Sequence, residues 1–302
     1  MLRLLTLIVV GASALSLLPR PMQSAAALPP ARVALTRVLV ISLDGMRADA
    51  LRMTAPPHIM GLAARGAVTW EAETVLPAVT LPAHASMLTG LDVSEHGLAH
   101  NDNPYTCTPI SEPTFLTRAQ EVGYRTATVS GKEKFCLFDQ LETMDYTFAR
   151  RGDASVADRA IELFQQDYQV VFAHFPNPDY FGHLTGWMSQ PYVDNVYSTD
   201  LQIGRVLTAI DALGATDDTL VLLTSDHGGH DFGHGADIPE DRDIPWIIAG
   251  PGVVPGADLG DSVSVADTAA TVLWALGLPV PASDLGTPRL EAFGLTDDET
   301  DG

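Results

Sequence analysis

The stretch LVLLTSDHGGHDFGHG, residues 220–235, places a carboxylate and several imidazoles directly after an apolar run. Residues 221–223 predict a short strand between turn-forming residues, so Asp226 and His227 emerge where that strand ends. Open α/β sheets bind their ligands at this edge. His234 follows through a glycine-rich loop, and glycine lets the backbone fold back on itself. The stretch therefore predicts a metal site at the end of a strand.

Two other apolar runs end in residues of the same kind. RVLVISL, residues 37–43, is typical of a strand buried on both faces of a parallel sheet, and Asp44 follows it. The run 170–175 leads into a predicted helix start, and Asp179 and His183 then lie four residues apart on one helical face. Taken singly, Asp-Gly after a strand is a common turn, and an i,i+4 pair is often surface decoration.

Together, the three runs bring Asp44, Asp179 and Asp226 to the carboxyl edge of one sheet. Aspartate and histidine without cysteine suit zinc and similar divalent ions. Two sets of three ligands, each with open positions, predict a two-metal site of the kind used in phosphoryl transfer, with the ions about 4 Å apart.

Strand and helix patterns alternate along the chain, which predicts a three-layer α/β domain with a mostly parallel central sheet. The predicted strands are 37–43, 68–73, 124–129, 170–175, the run beginning at residue 220, and 243–249. The predicted helices are 57–65, 83–88, 113–122, 154–166, the one starting at residue 177, 192–213 and 266–276. We divide the chain into a signal peptide (1–27), a linker (28–36), a catalytic domain (37–290) and an acidic tail (291–302).

Thr80 falls at or beside the start of the helix predicted over 83–88, with Pro82 in its first turn. A threonine here either caps the helix or serves as a nucleophile, because the helix N-terminus favours negative charge. Its position alone does not separate the two roles. The polar loop EHGLAHNDN, residues 95–103, offers amides that could bind an oxyanion.

Composition and the N-terminus indicate where the protein works. A formal net charge of −21 repels nucleic acids and anionic membranes, so we expect a small-molecule substrate drawn in by local metal charge. One early arginine, an apolar stretch over 4–18 and small residues at 25 and 27 predict a cleaved signal peptide, hence a secreted or periplasmic protein without a membrane anchor. In that oxidising compartment we expect Cys107 and Cys136, the only cysteines, to pair; two buried thiols are the alternative. The sequence leaves the oligomeric state open.

The ordered set Asp44, Thr80, Asp179-x-x-x-His183, Asp226-His227, His234 resembles the alkaline phosphatase superfamily, and most closely its type I phosphodiesterase/nucleotide pyrophosphatase branch. The resemblance runs from about residue 37 to 275 and implies an alkaline-phosphatase-like domain. It implies one zinc on Asp179, His183 and His234, a second on Asp226, His227 and Asp44, and Thr80 as a nucleophile resting on the second zinc. It also implies that Asn101 hydrogen-bonds a phosphoryl oxygen. His234 follows within one loop, whereas in nucleotide pyrophosphatases the corresponding histidine lies far downstream.

The resemblance thus implies a two-zinc hydrolase of phosphate esters that acts through a phospho-threonine. We expect diesters to be preferred, since no extra cationic group for a dianion is evident in the sequence. A phosphomonoesterase or a phosphonate hydrolase is the alternative, and a non-catalytic metal-binding protein is the alternative of another class. Lys132 and Lys134 are either substrate contacts or a solvated pair. His230 is the alternative to His234 as a ligand, and the remaining histidines are expected to be packed or hydrogen-bonded: His58, His84, His96, His100 and His174.

Overall fold

The computed structural model describes residues 35–102, 106–141, 145–148, 152–283 and 285–296. The predicted signal peptide, most of the linker and the end of the acidic tail lie outside these described residues. None of the described helices combines the length and the apolar character needed to cross a bilayer.

A seven-stranded sheet forms the centre of the domain, in the order β2-β7-β6-β1-β5-β3-β4. Its strands are β1 (Arg37–Leu43), β2 (Ala67–Glu73), β3 (Thr126–Ser130), β4 (Asp145–Phe148), β5 (Val170–Phe175), β6 (Thr219–Thr224) and β7 (Asp243–Ala249). β1 pairs in parallel with both β5 and β6, whereas β7 is antiparallel to β6 and to β2. The expected α/β fold with a mostly parallel sheet is therefore confirmed.

In the described part of the chain, these α-helices surround the sheet: α1 (Ala48–Thr54), α2 (Pro57–Ala64), α3 (Thr80–Thr89), α4 (Val93–His96), α5 (Phe115–Glu121), α6 (Asp153–Gln165), α7 (Asn177–Thr185), α8 (Gln190–Ala212), α9 (Pro239–Arg242) and α10 (Asp267–Ala275). Short 3-10 helices lie at Glu133–Phe138, Thr216–Asp218 and Leu290–Phe293.

Side chains of β1 alternate between two hydrophobic cores, one on each face of the sheet. Val38 and Val40 pack in the core that contains α3, α5 and α10, and Leu39 and Ile41 pack in the core that contains α1, α2, α6 and α8. This alternation follows from the period of two along a strand. The result is the three-layer arrangement that the sequence predicts.

Some features differ from the sequence-based expectations. α1, α4, α9 and β4 are not among the predicted elements, because each is short and shows little periodicity. The hydrophobic core also extends past the expected domain end at residue 290. Phe293 is buried and packs on Trp274, with ring centroids 4.8 Å apart, so the first residues of the expected tail belong to the core.

Candidate active site

Three aspartates meet at the carboxyl edge of the sheet. Asp44 directly follows β1, Asp226 lies just beyond β6, and Asp179 is in the first turn of α7, which follows β5. All three side chains are buried. Because β1 lies between β5 and β6, the parallel register carries the three carboxylates to one place.

Gly45 holds these carboxylates at close quarters. Its N–H donates to Asp226 Oδ1 at 3.0 Å, and a Cβ at this position would lie 2.9 Å from the Cα of Asp179. Its φ of +69° lies in the left-handed region that favours glycine. Glycine is therefore required here for close approach as well as for conformation.

Three histidines surround the carboxylates, and a hydrogen bond fixes the orientation of each ring. In each ring Nδ1 bonds a main-chain carbonyl, at 2.8–3.0 Å. The pairs are His183 with Phe232, His227 with Gly228, and His234 with Ala78. Each Nε2 faces the carboxylates, at 3.3–3.5 Å from an aspartate oxygen. A carbonyl on Nδ1 fixes the tautomer that leaves Nε2 as a metal ligand.

The ligand atoms form two groups within 4.8 Å of one another: Asp179, His183 and His234 in one, and Asp44, Asp179 and His227 in the other. The first is the set implied by the resemblance. The second contains two of its three implied members but includes Asp179 in place of Asp226. Asp226 still lies close, since its Oδ2 is 3.3 Å from His227 Nε2.

Buried polar atoms without hydrogen-bond partners among the described residues show that this cluster suits metal ions. They are Asp44 Oδ1, Asp179 Oδ1, Asp226 Oδ2 and His227 Nε2. Buried polar atoms are normally satisfied, and leaving one unsatisfied costs about 1–3 kcal/mol. Carboxylate oxygens and imidazole nitrogens directed at a common space are the ligands that zinc takes. The residues present therefore fit divalent cations.

Electrostatics within the cluster are dominated by burial and crowding. Burial, and then the charge of Asp44, raises the pKa of Asp226 well above its ordinary value. Burial also tends to raise the pKa of Asp44. The charge of Lys132 and the hydrogen bond from His174 outweigh that effect, so the pKa of Asp44 lies well below the usual range. Burial and the neighbouring His227 lower the pKa of His234 to about 4, so that ring is neutral at pH 7, as a ligand must be.

Thr80 is the first residue of α3, and it does not cap the helix. The N-cap residue is Val79, which makes no side-chain cap bond. Instead Asn101 Oδ1 accepts the N–H of Leu81 at 3.0 Å, so the helix start is satisfied from another loop. The capping role considered for Thr80 is therefore wrong, and its hydroxyl is 3.3 Å from Lys132 Nζ.

Both lysines reach the site. Lys132 Nζ lies 2.5 Å from Asp44 Oδ2 and 2.7 Å from Asp179 Oδ2. Lys134 is only 8% exposed, and its Nζ donates to Asn101 Oδ1 at 2.6 Å. The interpretation as a solvated surface pair is wrong, because both ammonium groups are bonded to residues of the site.

The disulfide expected between Cys107 and Cys136 is present. Cys136 lies in the 3-10 helix that carries Lys134, and Cys107 lies in the loop segment after Asn101. The bond therefore ties the lysine segment to the asparagine loop.

His174 has a role that the sequence does not reveal. The sequence predicts only that it is packed or hydrogen-bonded, yet its Nε2 lies 2.7 Å from Asp44 Oδ2. The register between β5 and β1, which pairs His174 with Ser42, places it beside Asp44, so strand adjacency was the available signal. His84, also buried, bonds Ser42 Oγ through Nε2 at 2.8 Å, in line with expectation.

His230 lies outside both ligand groups. Its Nδ1 is 2.8 Å from Asp241 Oδ1, and this hydrogen bond raises its pKa. The geometry therefore favours His234 over His230 as the ligand from the glycine loop.

The site therefore combines an Asp/His cluster at the carboxyl edge of a mostly parallel sheet with a buried threonine at a helix start. Residues 38–239 match the family model described as type I phosphodiesterase/nucleotide pyrophosphatase, so the chain belongs to that family. The family supports a phosphoric ester hydrolase.

Relatives and solved structures are similar over much of the chain. GPI ethanolamine phosphate transferase 1 of Aspergillus fumigatus is 24% identical over 87% of this chain and 32% of its own length. Ectonucleotide pyrophosphatase/phosphodiesterase family member 7 of Rattus norvegicus is 23% identical over 64% of this chain and 49% of its own. An inactive threonine-to-alanine variant of murine ectonucleotide pyrophosphatase/phosphodiesterase 5, in complex with AMP, superimposes with a TM-score of 0.73 at 16% identity, covering 83% of this chain and 97% of that one. The chain spans about a third of the length of the first curated relatives it matches.

Proposed function

We propose that this protein is an exported, two-metal hydrolase of phosphoric esters that acts through a covalent phospho-threonine on Thr80. The observation that carries the proposal is the position of the Thr80 hydroxyl. It begins α3, and it is bonded to the lysine that also bonds two of the clustered aspartates.

The residues that would hold the metals follow from the positions of the ligand atoms. Asp179, His183 and His234 would bind one ion, and Asp44, Asp226 and His227 the other, with Asp179 in reach of both. Two such ions, most suitably zinc, would supply Lewis-acid stabilisation of the negative charge that develops on oxygen.

The protein groups themselves account for orientation and charge in the reaction. Thr80 Oγ1 attacks phosphorus in line: a P–O bond forms, the P–O bond to the leaving group breaks, and the hydroxyl proton ends on the released leaving-group oxygen. Lys132 lies close enough to stabilise negative charge on the threonine oxygen. The amide of Asn101 accepts from Leu81 and Lys134 through Oδ1, which makes its NH₂ side the donor for a phosphoryl oxygen. Water then attacks the phospho-threonine, releases the phosphoryl product and restores the hydroxyl.

The names of the relatives support transfer of a phosphoryl group but differ in the molecule that accepts it. Relatives named as a phosphodiesterase and a triphosphatase are consistent with transfer to water. The ethanolamine phosphate transferases are consistent with transfer to another acceptor. Rat steryl-sulfatase also matches, over 41% of this chain. Thr80 argues against sulfatase chemistry, because the formylglycine nucleophile is made from cysteine or serine.

Export is proposed on the N-terminal sequence and is compatible with the disulfide, since such bonds persist in oxidising compartments. Sequencing the N-terminus of the mature protein tests it. A new N-terminus near residue 28 is expected, and an intact Met1 would contradict the proposal.

The catalytic proposal is tested with zinc-loaded wild-type protein and with Thr80→Ala and Thr80→Ser variants. We expect Thr80→Ala to lose at least about a thousandfold in kcat while retaining its zinc, because the nucleophile is absent and the Asp and His ligands are intact. Thr80→Ser should retain measurable activity, since the hydroxyl remains. Trapping by acid quench with a ³²P-labelled substrate should label the wild type and not Thr80→Ala. Substantial turnover by Thr80→Ala would refute the covalent route.

A further inference from the structure

The chain contains two lysines among 302 residues, and both lie at the site. Lys132 is bonded to Thr80 and to two aspartates, and Lys134 is bonded to Asn101. All other basic residues are arginine or histidine. A pair of solvated surface lysines would be expected to be exposed, as lysines usually are.

The segment that carries the lysines is anchored on both sides. The hydroxyl of Ser130, the last residue of β3, accepts the N–H of Lys132 at 3.0 Å. Beyond the lysines, Phe135 is fully buried, and Cys136 is disulfide-bonded. The backbone on both sides of the two lysines is therefore held in place, and both ammonium groups bond residues of the site.

Lys134 is a cation with too little compensating charge nearby. Its hydrogen-bond partner Asn101 is neutral, whereas Lys132 has the negative charges of Asp44 and Asp179 beside it. Burial and the charge of Lys132 lower the pKa of Lys134 to about 8. An anion bound next to Asn101 would relieve this cost, because charge-assisted hydrogen bonds are the strong ones.

Charge balance bears on the class of substrate. Two divalent ions against the three aspartates would leave a surplus of one positive charge, and the two lysines raise that surplus to three. A larger positive surplus favours an anion with more than one negative charge. The sequence-based prediction of a preference for diesters depended on the lack of an extra cationic group for a dianion. Lys132 and Lys134 supply such groups, so that reason no longer holds.

We propose that Lys134, together with Lys132, makes this site selective for substrates that carry more negative charge than a diester, namely dianionic phosphate monoesters. The assignment rests on the proposed function, since it concerns the same site. In a monoester, Lys134 donates to a non-bridging phosphoryl oxygen beside Asn101. In a diester, the corresponding oxygen carries the second ester group and has no negative charge. Lys132 is the nearer cation to Thr80.

The experiment compares Lys134→Gln with Lys134→Arg in zinc-loaded protein. Glutamine removes the charge but can still donate to Asn101, and arginine keeps the charge. Substrates are p-nitrophenyl phosphate as the dianionic monoester and bis-p-nitrophenyl phosphate as the diester. We expect the kcat/KM of Lys134→Gln for p-nitrophenyl phosphate to fall about 10- to 100-fold, the range for one charge-assisted hydrogen bond. Diester kcat/KM should fall less, so the ratio of monoester to diester kcat/KM should drop at least about tenfold, and Lys134→Arg should restore most of that ratio.

A binding measurement separates this proposal from the proposed function. Inorganic phosphate is titrated calorimetrically into zinc-loaded Thr80→Ala protein, with and without Lys134→Gln, and its Kd is expected to rise at least about tenfold in the double variant. If no ester is hydrolysed but this rise is seen, the anion role stands and the catalytic proposal fails. If esters are hydrolysed but Lys134→Gln affects monoester and diester equally, or leaves the Kd unchanged, the lysine proposal is overturned and the catalytic one stands. Zinc content of each variant confirms that metal binding is unaltered.

Discussion

Replacing Gly45 with alanine tests whether the site depends on the close approach of β1 and α7. A Cβ at this position would lie 2.9 Å from Asp179 Cα and 3.0 Å from its Cβ. Backbone cannot yield as a flexible side chain can, so α7 or the turn must shift. The carbonyl of Gly45 also accepts hydrogen bonds from Trp187 Nε1 and Tyr192 OH, which restrict the turn further.

The magnitude has two parts. A φ of +69° costs an alanine about 1–2 kcal/mol, and overpacking adds about 1–3 kcal/mol. We expect Gly45→Ala to lower the free energy of unfolding by about 2–5 kcal/mol. Because the shift separates Asp179 from Asp44, the variant should also bind less zinc per chain.

Gly214→Ala is the matched control, because Gly214 has a φ of +68° but a Cβ placed there would meet no atom of the described chain within 4 Å. It should lose only the conformational part, about 1–2 kcal/mol, and bind zinc normally. Urea unfolding of the metal-free proteins measures stability, and plasma mass spectrometry after dialysis measures zinc. Equal losses in both variants, with equal zinc content, would refute the argument that Gly45 is required for contact between the strand and the helix.

Two further predictions concern single side chains. His234→Ala should lower the bound zinc by about one equivalent per chain, because His234 Nε2 faces Asp179. His230→Ala should leave the zinc content unchanged, because His230 bonds Asp241 instead. Metal analysis of both variants tests this, and the reverse pattern would identify His230 as the ligand. Burial raises the pKa of Asp153 to about 7, so the folded protein binds its proton more tightly than the unfolded chain. Stability should therefore fall as pH rises from about 4 to 7, by up to about 4 kcal/mol from this residue. Urea titrations across that range should show a flatter profile for Asp153→Asn than for wild type, and parallel profiles would exclude a role for this carboxyl.

Much of the fold was predictable because its signals are local. The long apolar strands, the helix over Gln190–Ala212 and the order of elements follow from hydrophobic periodicity within short windows. The candidate ligands were found for the same reason: Asp44 and Asp226 each follow a strand, and the parallel register then brings them together. No local sequence pattern predicts the antiparallel direction of β7 or its place between β2 and β6.

The roles of several site residues were decided only by contacts between distant segments. Asn101 caps the helix that Thr80 begins, His174 bonds Asp44 across two strands, and Lys134 is buried against Asn101. The amino-acid sequence alone determined which strands carry acidic and imidazole groups at their ends, since that depends on neighbours in the chain. Tertiary structure decided which of those groups form ion pairs or hydrogen bonds with one another, because such interactions depend on distances of a few ångströms between residues far apart in sequence.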